Sequence, residues 1–136
     1  MPSRDDALKR VPLFADLTTR QLRRLARKLR ERQFKPGTAI VREGEMSGIG
    51  FFIIASGQAR VREGERDIGS LEPGDHFGEL GLIVERERSA TVIAETQLDC
   101  LELAAWDFRE LVKSDGDLAW RLLQHVVTTL VGDRSA

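Results

Sequence analysis

The stretch Asp75-His76-Phe77-Gly78-Glu79-Leu80-Gly81-Leu82-Ile83-Val84-Glu85-Arg86-Glu87-Arg88-Ser89-Ala90 breaks the pattern of the chain around it. On either side run short β-prone segments; here stand two glycines, a brief apolar run and a cluster of charge. Gly78 has no Cβ and lets its backbone approach another group closely. Glu79 to Ile83 predicts one short helical turn. The first amides of such a turn have no partner within it, which makes an anion site. Arg88 follows at a distance that allows the chain to fold back, and its guanidinium can grip two oxygens of an oxyanion. Glu79 would repel that anion, so its carboxylate needs another task, and accepting a hydrogen bond from a hydroxyl fits.

Outward from this stretch, residues 31–103 read as strands. Thr38-Ala39-Ile40-Val41, Gly50-Phe51-Phe52-Ile53-Ile54, Gln58-Ala59-Arg60-Val61-Arg62, Asp67-Ile68-Gly69-Ser70-Leu71, Thr91-Val92-Ile93-Ala94 and Leu98 to Leu103 are the β-prone runs. Breaks fall at Pro36-Gly37, Glu43-Gly44, Ser56-Gly57, Glu63-Gly64 and Pro73-Gly74-Asp75. Short strands with turns at this spacing predict a compact antiparallel roll or barrel.

The two ends are helical in pattern. From about Asp5 to Arg30, Val11-Pro12-Leu13-Phe14 ends a first short helix, because Pro12 interrupts continuation. Thr18 with Gln21 three residues on is a capping-box signature, and Leu22, Leu25, Ala26 and Leu29 then recur at helical spacing. After Ala105, Trp106, Phe108, Leu111 and Val112 belong to one helix, and Ser114-Asp115-Gly116-Asp117 is a break. A last helix carries Leu118, Leu122, Val126 and Leu130 along one line, with Ala119, Leu123, Val127 and Val131 along the next. That apolar face is broader than one surface needs, which leaves a dimer seam open beside packing on the roll. The expected class is therefore α+β, mainly β: an antiparallel β-roll or jelly-roll with N-terminal and C-terminal helices, in one domain over 1–136.

Composition narrows the function classes. With 136 residues there is enough chain for one core without staples. The net charge of −1 supplies no field for nucleic acid or membrane. The single cysteine, Cys100, excludes an internal disulfide and reads as a small core residue. No apolar signal region opens the chain and no run approaches the ~20 residues of a membrane helix, so a soluble, cytoplasmic protein is expected. No nucleophile stands at a known spacing from a base, and there is neither a metal-ligand cluster nor a Walker-type loop. The expectation is a protein that is not an enzyme and holds no metal or cofactor. Arg20, Arg23, Arg24, Arg27, Lys28, Arg30 and Arg32 read as a basic helix with a solvated face. No aromatic residue interleaves them, so nucleic acid is not an expected partner. Trp106 and Trp120 read as core or interface anchors, and His125 as a surface or interface residue.

An anion with a hydroxyl beside it is what a ribose 3′,5′-cyclic phosphate with its free 2′-OH presents. Phe77-Gly78-Glu79-Leu80-Gly81-Leu82, a short variable stretch, then Arg88-Ser89-Ala90-Thr91-Val92 resembles the phosphate-binding cassette (75–90) of the cyclic-nucleotide-binding domain family, which includes the bacterial catabolite activator and protein kinase A regulatory subunits. Val11-Pro12-Leu13-Phe14, Gly37 to Glu45, Phe52 to Val61 and Pro73-Gly74-Asp75 resemble its strand and turn pattern, and the closing helices match too.

The resemblance implies that Glu79 binds the ribose 2′-hydroxyl and Arg88 the cyclic phosphate. Backbone amides around Gly78 and Leu80 would complete the cradle, and Phe77, Gly81 and Ala90 belong to the same site. Ser89 is similar to the catabolite activator's residue and favours cyclic AMP, with cyclic GMP as the other candidate. Glu87 stands where kinase-type members carry proline, which leans the likeness towards the bacterial regulators. It also puts Glu85 and Glu87 close enough in sequence to pair with Arg88 and oppose ligand. The last helix is implied to close over the base and transmit the signal. Contacts that this helix makes to the base in relatives would fall near Asp133 and Arg134. The bacterial regulators continue into a DNA-binding domain, whereas this sequence stops at Ala136. Haem-binding relatives make His76 a conceivable iron ligand, but the intact Phe-Gly-Glu-Leu points to a solvated or hydrogen-bonding histidine. A simple Glu79–Arg88 ion pair, an interaction module that binds no nucleotide, and the sensor part of a larger transcription factor, channel or enzyme are the other readings the residues leave open.

Overall fold

The computed structural model describes residues 3–46 and 50–132. Asp133 and Arg134 lie outside them. Among the described residues, eight strands form two antiparallel four-stranded sheets. They are β1 (Arg30–Phe34), β2 (Ala39–Val41), β3 (Gly50–Ser56), β4 (Ala59–Glu63), β5 (Arg66–Leu71), β6 (His76–Phe77), β7 (Thr91–Ala94) and β8 (Leu98–Ala104). The first sheet has the order β1-β8-β3-β6 and the second β2-β7-β4-β5. This is the mainly-β roll that the turn spacing predicts, with α1 (Arg4–Lys9) and α2 (Thr19–Ala26) before it, the short α3 (Leu80–Ile83) between β6 and β7, and α4 (Ala105–Ser114) and α5 (Gly116–Val131) after it.

Strand β3 explains why the apolar run Phe51 to Ile54 does not alternate with polar residues. Both of its faces are buried. Phe51 and Ile53 join Leu8, Phe14, Leu25, Phe108 and Leu118 in a core between the first sheet and the helices. Phe52 and Ile54 join Val41, Ala59, Val92, Leu98 and Cys100 inside the roll. A strand buried on both faces reads as a continuous hydrophobic run. Burial raises the Cys100 thiol pKa to about 12, which suits a packing residue.

The capping box forms as its spacing predicts. The Gln21 backbone N–H donates to Thr18 Oγ1 at 3.2 Å, and Gln21 Oε1 accepts from the Thr18 N–H at 2.9 Å. The helix it starts is shorter than its pattern suggests. Helix α2 ends at Ala26, a turn carries Arg27 to Leu29, and Arg30–Phe34 is strand β1. The basic run is therefore not one helix. Its charged residues hide the strand, which pairs with β8 from Arg30↔Glu102 to Phe34↔Leu98. Arg32 meets the buried Glu102 at 3.1 Å, and Arg23 and Arg24 meet Asp5 and Asp115.

Two further expectations need correction. The break before the last helix is a single residue: Asp115 caps α5 by accepting from the Leu118 N–H at 3.1 Å. The tryptophans are not core anchors of this chain, since Trp106 and Trp120 are 56% and 58% exposed. Of the apolar face of α5, Leu118 and Leu122 are buried, while Leu123, Val127, Leu130 and Val131 are exposed.

Candidate functional site

Strand β6 delivers the chain to the site. Phe77 pairs with Phe52 of β3 and stacks on its ring at 5.2 Å, inside the roll. Gly78 then takes φ +89°, a conformation that L side chains rarely adopt. A Cβ there would lie 2.7 Å from Arg88 Nη1 and 2.9 Å from the Gly50 carbonyl oxygen. Gly78 is thus required both by its backbone angle and by the close approach of the guanidinium.

Helix α3 is the single turn that the sequence predicts, with Glu79 at its N-cap position. The turn's own bonding begins at Gly81, whose N–H donates to Gly78 O at 3.1 Å. The amides of Glu79 and Leu80 precede it, at the end of the turn where partners must come from elsewhere. Arg109 of α4 holds the other end, donating to the Leu82 and Gly81 carbonyls at 3.2 and 3.4 Å.

Arg88 is placed by an earlier loop. Its N–H donates to Glu45 O at 2.7 Å, and the Gly44 N–H donates to Arg88 O at 2.9 Å. Met46 and Glu87 form an antiparallel bridge beside this contact. The guanidinium donates from Nη2 to Gly50 O at 3.0 Å. Burial pulls its pKa down and the charge of Glu45 pushes it up. Glu79 behaves differently. His76 Nδ1 lies 3.3 Å from Glu79 Oε2. That hydrogen bond holds the carboxyl below its ordinary range, against the effect of burial, with help from the residue's own amide and the His76 charge.

Glu79 and Arg88 therefore use different partners, His76 and Gly50, among the described residues. They do not form the ion pair that was the plain alternative. Among the described residues, neither of the two acids that precede Arg88 in sequence is paired with it: Glu85 reaches Arg109 at 4.0 Å, and Glu87 lies in the bridge to Met46. His76 takes the hydrogen-bonding role expected of it.

All eight predicted site residues line one cavity of about 270 Å³: Phe77, Gly78, Glu79, Leu80, Gly81, Arg88, Ser89 and Ala90. Sequence reasoning did not name its other walls. Val41, Val61, Leu71 and Val92 come from four strands of the second sheet, and Arg86 and Glu87 complete it. The alternation Ala59-Arg60-Val61-Arg62 was the available signal for an inward Val61. Helix α5 contributes none of the lining among the described residues. It packs instead on α4, with Ala119, Leu122, Leu123 and Val126 facing Leu82 and Ile83 of α3 across a separate groove.

The cyclic nucleotide-binding domain model matches residues 31–115. A cAMP-dependent protein kinase regulatory subunit of Yarrowia lipolytica is 38% identical over 110 residues, covering 79% of this chain and 29% of that protein. A cGMP-dependent protein kinase of Toxoplasma gondii is 38% identical over 120 residues, covering 88% of this chain and 11% of that protein. The chain thus spans under a third of either. Among solved structures, the N-terminal domain of a transcriptional regulator from Streptomyces coelicolor A3(2) aligns with a TM-score of 0.83 at 27% identity, covering 92% of each chain. A cyclic nucleotide-binding-like protein from Brucella abortus aligns at 0.74 and 26%, covering 82% of this chain and 99% of that one. Kinase-type and regulator-type relatives both appear, so the likeness is not confined to the bacterial side that Glu87 suggested. The cassette, the roll that carries it and these matches agree: the chain belongs to the cyclic nucleotide-binding domain family.

Proposed function

We propose that this domain is a cyclic AMP sensor in the cytoplasm, where cyclic nucleotides are made, and that it regulates a partner rather than catalysing a reaction. The carrying observation is the convergence of Arg88, the α3 turn and Glu79 on one cavity with an apolar wall. The cyclic phosphate is held by the Arg88 guanidinium and the amides at the start of α3. Glu79 accepts from the ribose 2′-hydroxyl, and Val61 and Leu71 support the base. Ser89 at the cavity edge favours cyclic AMP over cyclic GMP.

The route out of the site runs through α3. Its carbonyls are gripped by Arg109, and Leu82 is buried beside the α4–α5 pair. A ligand that shifts this turn changes the seat of α4 and α5, and it can do so only by binding one seating better than the other. The exposed Leu123, Val127, Leu130 and Val131 support a second role for α5 as the seam of a homodimer.

A thermal-shift titration with cyclic AMP, cyclic GMP and 5′-AMP tests the reading. At 100 times its dissociation constant a ligand adds about 2.7 kcal/mol. The expected result is a shift with cyclic AMP, a smaller one with cyclic GMP and none with 5′-AMP. No shift with any of them rejects the sensor reading. Hydrogen exchange on α5, equal with and without cyclic AMP, rejects the transmission route.

A further inference from the structure

His76 has a feature that nucleotide binding by Glu79 and Arg88 does not use. Its Nδ1 lies 3.3 Å from Glu79 Oε2, yet the residue is not part of the cavity wall. The imidazole is anchored twice. Its backbone pairs with Ile53 in the β6–β3 ladder, and its ring packs on the fully buried Phe51 with centroids 5.7 Å apart. Glu79 is held less firmly, by His76 and its own amide. It follows Gly78, stands at the start of a four-residue helix and keeps 33% of its side chain exposed.

Recognising a 2′-hydroxyl asks two things of a carboxylate: it must be ionised, and it must be held still. Ordering a free glutamate side chain on binding costs rotamer entropy. A cyclic phosphate on Arg88 also brings a second negative charge near Glu79, which favours protonation of the carboxyl. A hydrogen bond from a fixed imidazole counters both. An ionised carboxylate only accepts, so Nδ1 must carry the proton of this bond. Oε2 is then committed to His76, and Oε1 remains to accept from the sugar.

We infer that His76 is a positioning residue that donates Nδ1–H to Glu79 Oε2 and thereby sets the preference for ribose over 2′-deoxyribose. This rests on the nucleotide reading of the site. It extends that reading by assigning sugar discrimination to a pair, one member of which never touches the ligand.

Calorimetric affinities for cyclic AMP and 2′-deoxy cyclic AMP test it, measured on the wild type, His76→Phe and His76→Asn. The ratio of the two affinities within one variant cancels any general loss of stability. In His76→Phe, cyclic AMP should weaken about tenfold, the worth of one hydrogen bond to a charged group. The deoxy ligand should change by less than about twofold, because it makes no bond to Glu79. His76→Asn, whose amide can donate from a similar place, should restore most of the ratio. His76→Ala replaces the Phe variant if that one does not fold. Equal weakening of both ligands, an unchanged ratio, or tighter cyclic AMP binding would overturn the inference while leaving the sensor standing. A wild type that binds neither ligand would overturn the sensor reading, and this inference with it.

Discussion

The Arg88 guanidinium donates to the carbonyl oxygen of Gly50, 38 residues earlier, at 3.0 Å. A backbone acceptor on β3 thus aims the arginine assigned to the phosphate in the proposed function. Arg88→Ala removes a charge-assisted contact worth on the order of 3 kcal/mol, roughly a hundredfold in affinity. Arg88→Lys keeps the charge but not the fork, so it should recover only part. Calorimetry on both variants checks this, and an unchanged affinity in Arg88→Ala would show that the phosphate sits elsewhere.

Gly78 and Gly44 share a left-handed backbone, at φ +89° and +86°, but not their surroundings. A Cβ on Gly44 meets nothing within 4 Å, whereas one on Gly78 meets Arg88 and Gly50 O. Gly44→Ala should cost only the backbone term, about 1–2 kcal/mol. Gly78→Ala should cost more and also displace Arg88, so it alone should lose nucleotide affinity beyond its loss of stability. Denaturant melts paired with calorimetry separate the two effects.

Acid should expose the Glu79–His76 bond. Glu79 is held below its usual 4.5 in the folded chain. Between that lower value and 4.5 the unfolded chain binds more protons at this position, so stability rises with pH there. The contribution is complete above 4.5 and is lost as the pH falls towards the folded value. Urea melts of wild type and Glu79→Gln should differ at pH 5.5, and the difference should shrink as the pH falls below 4.5. A difference that persists unchanged to pH 3 would place its origin outside this carboxyl.

Helix α5 divides into a buried and an exposed half. Leu118 is fully buried, while Leu130 is 81% exposed. Leu118→Ala should cost about 2–5 kcal/mol, and a cost near zero is expected for Leu130→Ala in the monomer. If Leu123, Val127 and Leu130 form a dimer seam, Leu123→Glu should lower the sedimentation mass without shifting the monomer's melting temperature. A mass that is monomeric in both forms at all concentrations would reject the seam.

The roll and most of its elements were legible because their signals are local. Thr18 and Gln21 announce α2, and Phe51 to Ile54 announces a strand buried on both faces. Strand β1 was not legible, because Arg30, Glu31 and Arg32 carry charge that a sheet edge tolerates. Glu79 and Arg88 stood out by their motif, and the structure brings both to one cavity. The partners that orient them did not stand out. Gly50 offers only a carbonyl, and carbonyls are the same at every position. Val41, Val61, Leu71 and Val92 reach the cavity by the pairing of four strands, which no single segment encodes. The position of α5 away from the cavity is likewise a matter of packing, on α4 and the N-terminal helices, rather than of its own pattern.

Strand β3 alternates between two interiors, with Phe51 and Ile53 towards the helices and Phe52 and Ile54 within the roll. A one-residue slip in a strand moves every side chain to the opposite face. Here that would exchange the occupants of both interiors at once and shift Gly50 away from Arg88. The irregularity that β3 does tolerate lies between Ile54 and Ser56, past the last residue that it gives to either core. Residues 51–54 should therefore accept one apolar side chain for another but no insertion or deletion, while Gly50, where a Cβ would meet Leu103 O at 2.7 Å, should accept neither.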